Sequence, residues 1–343
     1  MRAVVLERTG DASELRLRDW PDPELGPDDA LVRVHAVGVC GRDLIDRRGG
    51  FPMMKLPTIL GHEIAGEVVA VGKRVTLVAV GDRVATLHRP WCGDCLSCVA
   101  GRTLDCEQAW QSFGHTIDGG YAELVAAPER ALVKIPEGVS AEQAAPLGCT
   151  AAVALRALRE SAKLALGETV LVTGASGGVG LPAIQLAKAA GARVIAVTGS
   201  DAKRDGLLAA GADSVVVARD NQFAADVRAV SDGGVDVALE LTGAATFRDA
   251  QKCLRPRGRL VVIGNIDLGK VSVALGPLIL YGHTIAGARS YTRHDLEECF
   301  RLLLRGQLRP LIADRLPLSG AKSAHERLEH RAVSGRLVLV PSL

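Results

Sequence analysis

No excess of charge of either sign marks this chain: 41 lysines and arginines stand against 39 aspartates and glutamates, a formal net charge of +2 over 343 residues. Nor do like charges gather in runs, which excludes the basic stripe of a nucleic-acid binder and the polybasic patch of a membrane-surface protein. No apolar stretch reaches the roughly 18 residues that a membrane helix requires. Internal repeats and low-complexity tracts are missing. Met1 leads straight into the alternating run Ala3-Val4-Val5-Leu6, so no signal peptide is expected. The expected compartment is the cytoplasm, where thiols stay reduced and cysteines more often bind metal than form disulfides. Aromatic residues are few, five Phe, three Trp and three Tyr. Phe51, Trp91, Trp110 and Phe113 are the candidates for lining a pocket, although such aromatics are more often packing.

What is present points to a two-domain α/β protein. The chain is 48% hydrophobic, carries 38 glycines and is 23% charged, which fits a globular protein with room for two cores. Its organising stretch is residues 169–192. There the β-type run Val170-Leu171-Val172-Thr173 passes through Gly174, Gly177, Gly178 and Gly180 into a segment of helical periodicity. This reads as a strand, a tight turn and a helix start. Backbone N–H groups at a helix N-terminus, with the helix dipole behind them, hold a pyrophosphate, and glycines let the backbone approach it. Similar turns occur in folds that bind nothing. Here the context fits on both sides, so Gly174, Ser176, Gly177, Gly178, Val179 and Gly180 are candidate dinucleotide contacts.

Strands and helices alternate from there, at residues 193–198, 202–210, 214–217, 235–241, 260–264 and 284–287, the pattern of a doubly wound parallel sheet. Enzymes that prefer NAD usually carry Asp or Glu at the end of the second strand, to accept the ribose hydroxyls. Thr198 stands there instead. Without that carboxylate nothing repels a 2′-phosphate, and Ser200 and Lys203 can donate to it, so the expected cofactor is NADP(H). Thr242, Gly264 and Asn265 follow later strands and complete the candidate set.

The first hundred-odd residues are rich in short strands and turns, for example at 30–39 and 64–71, which fits a small β-barrel-like domain. Cys92, Cys95, Cys98 and Cys106 form C-x2-C-x2-C-x7-C within it. Thiolates at this density suit a tetrahedral structural Zn²⁺ with no open position; an iron–sulfur cluster uses similar spacing. Cys40, His62-Glu63 and Cys149 are more dispersed. Each alone reads as structural, a single Cys beside a strand usually being a small buried hydrophobe.

Together these motifs resemble the zinc-containing medium-chain dehydrogenase/reductase family, the alcohol dehydrogenase relatives. The resemblance covers the whole chain, and the motifs arrive in the family order. It implies a Rossmann NADP(H)-binding domain at 150–288, inserted in a β-rich GroES-like catalytic domain at 1–149 and 289–343. It further implies two Zn²⁺ per chain. Cys40, His62 and Cys149 would hold the catalytic ion, with Glu63 as an alternative ligand, and the four clustered cysteines the structural one. Asp43 matches the carboxylate that orients the ligand histidine, and Arg336 matches a basic position at the cofactor phosphates. As bare residues these two read as a loop cap and an exposed strand charge. Residues 275–287, apolar and β-rich, match an edge that pairs with a second subunit, so a homodimer or homotetramer is expected; from the sequence alone this stretch is equally a buried strand.

The chain departs from the family where an alcohol loses its proton. Two residues beyond Cys40 the family usually has Ser or Thr, and here stands Arg42. The relay histidine expected three positions later is Ile45. A guanidinium stays protonated and cannot relay; it binds an anion or makes a structural ion pair with a nearby carboxylate, the favoured reading. Cys40 to Asp43, the run from Phe51 to Glu63, and Ile263-Gly264-Asn265 resemble the archaeal-type acryloyl-coenzyme A reductases. Those reduce a C=C conjugated to a thioester and need no alcohol proton relay. The expected function is hydride transfer between NADP(H) and an alcohol or carbonyl substrate. The alternative is an enoyl-thioester reductase, and a remote third reading is a non-catalytic NADPH-binding redox sensor.

Overall fold

A computed structural model describes residues 1–51, 53–108, 111–266 and 268–343. Trp110 lies outside the described residues. The chain divides into two compact units, one made of Met1–Cys149, Tyr291–Leu304 and Ile312–Leu343, the other of Thr150–Ser290 and Arg305–Leu311.

The first unit is β-rich. Its larger sheet runs in the order Ile312–Leu316, Arg336–Leu339, Asp29–Val39, Glu63–Val71, Arg83–Thr86, Leu132–Lys134, with Leu124–Pro128 also pairing with Asp29–Val39. Asp29–Val39 is its spine. Val32, Val34, Val37 and Val39 on this strand are all buried, and they meet Leu60, Ile64, Phe113 and Tyr121 in one core. β-Branched residues suit such a position because their stiff side chains pack well on a pleated surface. Arg336–Leu339 pairs with one edge of this spine, Leu337 opposite Val39, and Glu63–Val71 pairs with the other. Three neighbouring strand ends therefore lie side by side, carrying Arg336, Cys40 and His62-Glu63.

The second unit holds a six-stranded sheet that is parallel throughout, in the order Ser214–Val217, Arg193–Thr198, Thr169–Val172, Val235–Glu240, Leu254–Val262, Thr284–Gly287. Numbered within the sheet this is 3-2-1-4-5-6, the doubly wound dinucleotide-binding order. All four residues of Thr169–Val172 are buried, as expected of a strand covered on both faces.

Two segments differ from their expected form. Residues 275–287 are not all β: Leu275–Tyr281 is a helix and only Thr284–Gly287 is a strand. They are not buried either, since Leu275, Ile279, Leu280 and Tyr281 are all exposed. A short apolar run cannot be assigned to helix or strand by periodicity alone. The helix expected from Thr150 is instead Val153–Arg156 between two wider π-helical turns, Gly148–Ala152 and Ala157–Ser161. Among the described residues no helix is long and apolar enough to cross a membrane.

Candidate active site

Cys40 follows the spine strand and caps the helix Gly41–Arg47. Asp43, at the third position of that helix, turns back so that its Oδ2 accepts the Cys40 backbone N–H at 2.9 Å. Its other oxygen, Oδ1, lies 3.0 Å from His62 Nδ1. One buried carboxylate thus caps a helix and orients a histidine. His62 and Glu63 arrive from the neighbouring strand. Cys40, His62 and Glu63 bring their ligand atoms within 4.8 Å of one another; Cys149, on the π-helical turn, stands outside that group but near enough to act on the same imidazole.

The electrostatics of this cluster favour a positive centre. Burial alone would strip the proton from His62, yet Asp43 and Cys149 lift its pKa well above the ordinary value. Burial also pushes the Cys149 thiol and the Glu63 carboxyl up, while His62 and Arg336 respectively pull them back. Thiolate, imidazole and carboxylate are the donors Zn²⁺ takes, three from the protein with one position open in catalytic sites. The residues fit that ion.

Arg336, expected at the cofactor phosphates, is buried in the first unit. Its Nη1 donates to the Val39 carbonyl at 3.2 Å and its Nη2 lies 2.9 Å from Glu63 Oε1. Arg42 sits where the relay hydroxyl was expected. Its Nε donates to Asp46 Oδ1 at 3.0 Å, its guanidinium stacks over Phe51 at 4.7 Å, and its Nη2 lies 3.4 Å from His115 Nε2. Of the other aromatics, Phe113 is in the core and Trp91 packs on the cysteine lobe, with Arg130 stacked on its ring.

The lobe brings its four thiols together as the spacing implies. Cys92 Sγ lies 3.8 Å from Cys98 Sγ and 3.5 Å from Cys106 Sγ. A Zn–S bond of about 2.3 Å gives a tetrahedral S–S edge of about 3.8 Å. Backbone N–H groups of Glu107 and Cys98 pull the Cys95 thiol down to about 7, whereas burial pushes Cys98 up to about 12. These thiols fit a closed Zn²⁺ site.

In the second unit, Gly174 adopts a left-handed φ of +53° at the end of the first sheet strand, and a Cβ there would lie 3.1 Å from Thr242 Oγ1. Gly174 and Thr242 therefore meet where the strand order reverses, the place where such sheets bind ligands. The helix Gly180–Ala189 starts beside them, after Ser176, Gly177, Gly178 and Val179. Thr198 is buried, its hydroxyl accepting the Ser200 N–H at 3.3 Å; Lys203 ends the short turn that follows. Gly264 N donates to the Glu240 carbonyl at 3.1 Å, with Asn265 next to it.

Sequence reasoning missed several residues. Glu240, fully buried, accepts from Thr242 N, Gly243 N and Thr246 Oγ1 at 2.7–3.0 Å and so fixes the loop carrying Thr242. Tyr291 places its hydroxyl 4.0 Å from Cys149 Sγ, and His88 stacks beside it, 6.0 Å from the His62 ring. Tyr121 donates to Asp43 Oδ2 at 3.1 Å. No local motif announces the contacts of Tyr291, His88 and Tyr121, because each joins distant segments; the Glu240 cap, two residues from Thr242, is one that a strand-end acid signals.

Comparison with known proteins agrees across the whole chain. The alcohol dehydrogenase GroES-like domain matches residues 26–137 and the zinc-binding dehydrogenase domain residues 178–305. The chain is 34% identical to an acryloyl-coenzyme A reductase of Sulfurisphaera tokodaii, over 99% of this chain and 100% of that one. It is 33% identical to an alcohol dehydrogenase of Geobacillus stearothermophilus, over 99% of both. Among solved structures, AibC superposes with a TM-score of 0.92 at 47% identity, covering 99% of this chain and 95% of the other.

Proposed function

From the premise that this chain belongs to the zinc-binding dehydrogenase family with an alcohol dehydrogenase GroES-like domain, we propose that it is an NADPH-dependent reductase of a C=C conjugated to a thioester. The observation that carries this is Arg42. Its guanidinium occupies the relay position and is held by Asp46 and Phe51, so no hydroxyl there takes or gives an alcohol proton. Reduction of a conjugated C=C needs none at that place. Zinc held by Cys40, His62 and Cys149 would supply Lewis acidity for negative charge on the thioester oxygen.

The protein's own groups do the rest. Asp43 takes the His62 Nδ1–H and leaves Nε2 as the lone-pair donor. Arg336 balances Glu63, and Tyr291 and His88 wall the site. Thr198, Ser200 and Lys203 support NADP(H) over NAD(H). The exposed helix Leu275–Tyr281 and the edge strand Thr284–Gly287 support pairing with a second copy of the chain, which scattering or sedimentation mass reads directly.

A second reading, carbonyl reduction or alcohol oxidation, is supported by the complete donor set. The test follows NADPH oxidation with acryloyl- and crotonyl-coenzyme A beside a panel of aldehydes and ketones. Turnover of the thioesters alone is expected; turnover of the carbonyls alone overturns the proposal. A preference for NADH in the same assay overturns the cofactor assignment.

A further inference from the structure

A chain of buried polar groups runs from His62 away from the site. Asp43 Oδ2 accepts the Tyr121 hydroxyl at 3.1 Å, the Tyr121 oxygen lies 3.1 Å from His325 Nε2, and His325 Nδ1 lies 3.2 Å from Arg47 Nη1. Arg47 ends the chain on Glu329 and on the Gly10 carbonyl, 3.1 Å away. Asp43, Tyr121, His325 and Arg47 are each no more than 1% exposed. The residues come from far apart in sequence, His325 from the helix Ala321–Glu329 and Arg47 from the last turn of Gly41–Arg47.

Arginine has only donors, and a carboxylate only acceptors, so the two ends fix every proton between them. Arg47 donates to His325 Nδ1. The imidazole, which burial holds neutral with its pKa lowered to about 4, then carries its proton on Nε2 and donates to the Tyr121 oxygen. The Tyr121 hydroxyl has one direction left, toward Asp43. With the Cys40 N–H also on Oδ2, Oδ1 has His62 as its one hydrogen-bond partner among the described residues. Tyr121 is itself held from below: Gly61, at φ +94°, has no Cβ, and one added there would lie 2.4 Å from the Tyr121 ring.

We propose that Tyr121 and His325 are positioning residues for the catalytic metal, locking Asp43 so that His62 presents Nε2 at one fixed angle. This rests on the reading that Cys40, His62 and Cys149 hold a metal. Partners one shell beyond a metal ligand typically change affinity about 10- to 100-fold when removed, and Tyr121 acts one link further out.

The test uses the zinc-loaded protein and its cobalt-substituted form, with Tyr121→Phe, His325→Phe and His325→Gln. Phe at 121 keeps the ring against Gly61 and removes only the hydroxyl; Gln at 325 keeps an N–H donor. Expected is release of one of the two metals to a chelator about tenfold faster in Tyr121→Phe and His325→Phe, with an altered cobalt absorption band. His325→Gln should stay near wild type, and the metal of the cysteine lobe should leave at the wild-type rate in all three. Wild-type release and an unchanged cobalt band in Tyr121→Phe overturn the proposal, whatever becomes of the His325 variants. Wild-type protein that binds a single metal per chain overturns the underlying reading instead.

Discussion

Gly38 stands opposite Glu63 in the antiparallel register of the first unit, and a Cβ on Gly38 would lie 2.0 Å from Glu63 Oε2. The carboxylate beside the donor set fits only because its cross-strand neighbour has no side chain. Gly38→Ala is expected to force Glu63 off Arg336 and to cost about 1–3 kcal/mol of stability, the usual penalty of overpacking. Denaturant unfolding measures the cost, and an unchanged midpoint would refute it.

The two cysteine groups should separate in their effects. Cys40→Ser or His62→Ala is expected to leave one zinc per chain, abolish turnover and preserve NADPH binding. Cys95→Ser should also lose one zinc but lower the melting temperature. Metal analysis beside turnover, NADPH titration and melting distinguishes them; full activity in Cys40→Ser would remove the zinc role.

Arg42→Thr restores the hydroxyl at the relay position. Positioned proton transfer is typically worth about 10²–10⁴-fold, and with Ile45 still in place only part of it is expected. Alcohol oxidation should rise above the wild-type level while thioester reduction persists. If alcohol oxidation stays at background, the missing hydroxyl was not limiting.

Asp249 gives the second unit an acid-sensitive tie. Burial raises its pKa, but Lys252 and the backbone N–H groups of Ala224 and Phe223 outweigh that and hold it below the usual value. A depressed folded-state pKa contributes stability that is complete above the unfolded value of about 3.9 and lost as pH falls through the folded one. Asp249→Asn is therefore expected to cost about 1 kcal/mol near pH 7 and progressively less below pH ~4. Urea titrations at several pH values check this, and a difference that grows in acid would reverse the sign.

Much of this was legible in the sequence, for local reasons. A strand, glycine turn and helix are contiguous, so the stretch from Thr169 onward declares itself, and the four thiols of the lobe lie within fifteen residues. The doubly wound sheet follows from the alternation of strands and helices, and the β-rich domain from short strands at close spacing. By contrast Tyr121 meets His325 across 204 residues, a contact that no period or spacing encodes. Residues 275–287 misled in another way: Leu275, Ile279, Leu280 and Tyr281 are exposed, and periodicity reports burial only where a face is buried within the chain.

The strand Arg336–Leu339 lies between Asp29–Val39 and Ile312–Leu316, and this bears on how the protein is made. A ribosome delivers Glu63 long before Arg336. Until that strand emerges the nascent first unit keeps an open sheet edge beside Val39 and a carboxylate whose counter-charge has not been translated. The second unit's six strands have all emerged by then. The counter-charge of Glu63 and the strand pairing at Val39 thus arrive together, after the strands of the second unit's sheet have been made.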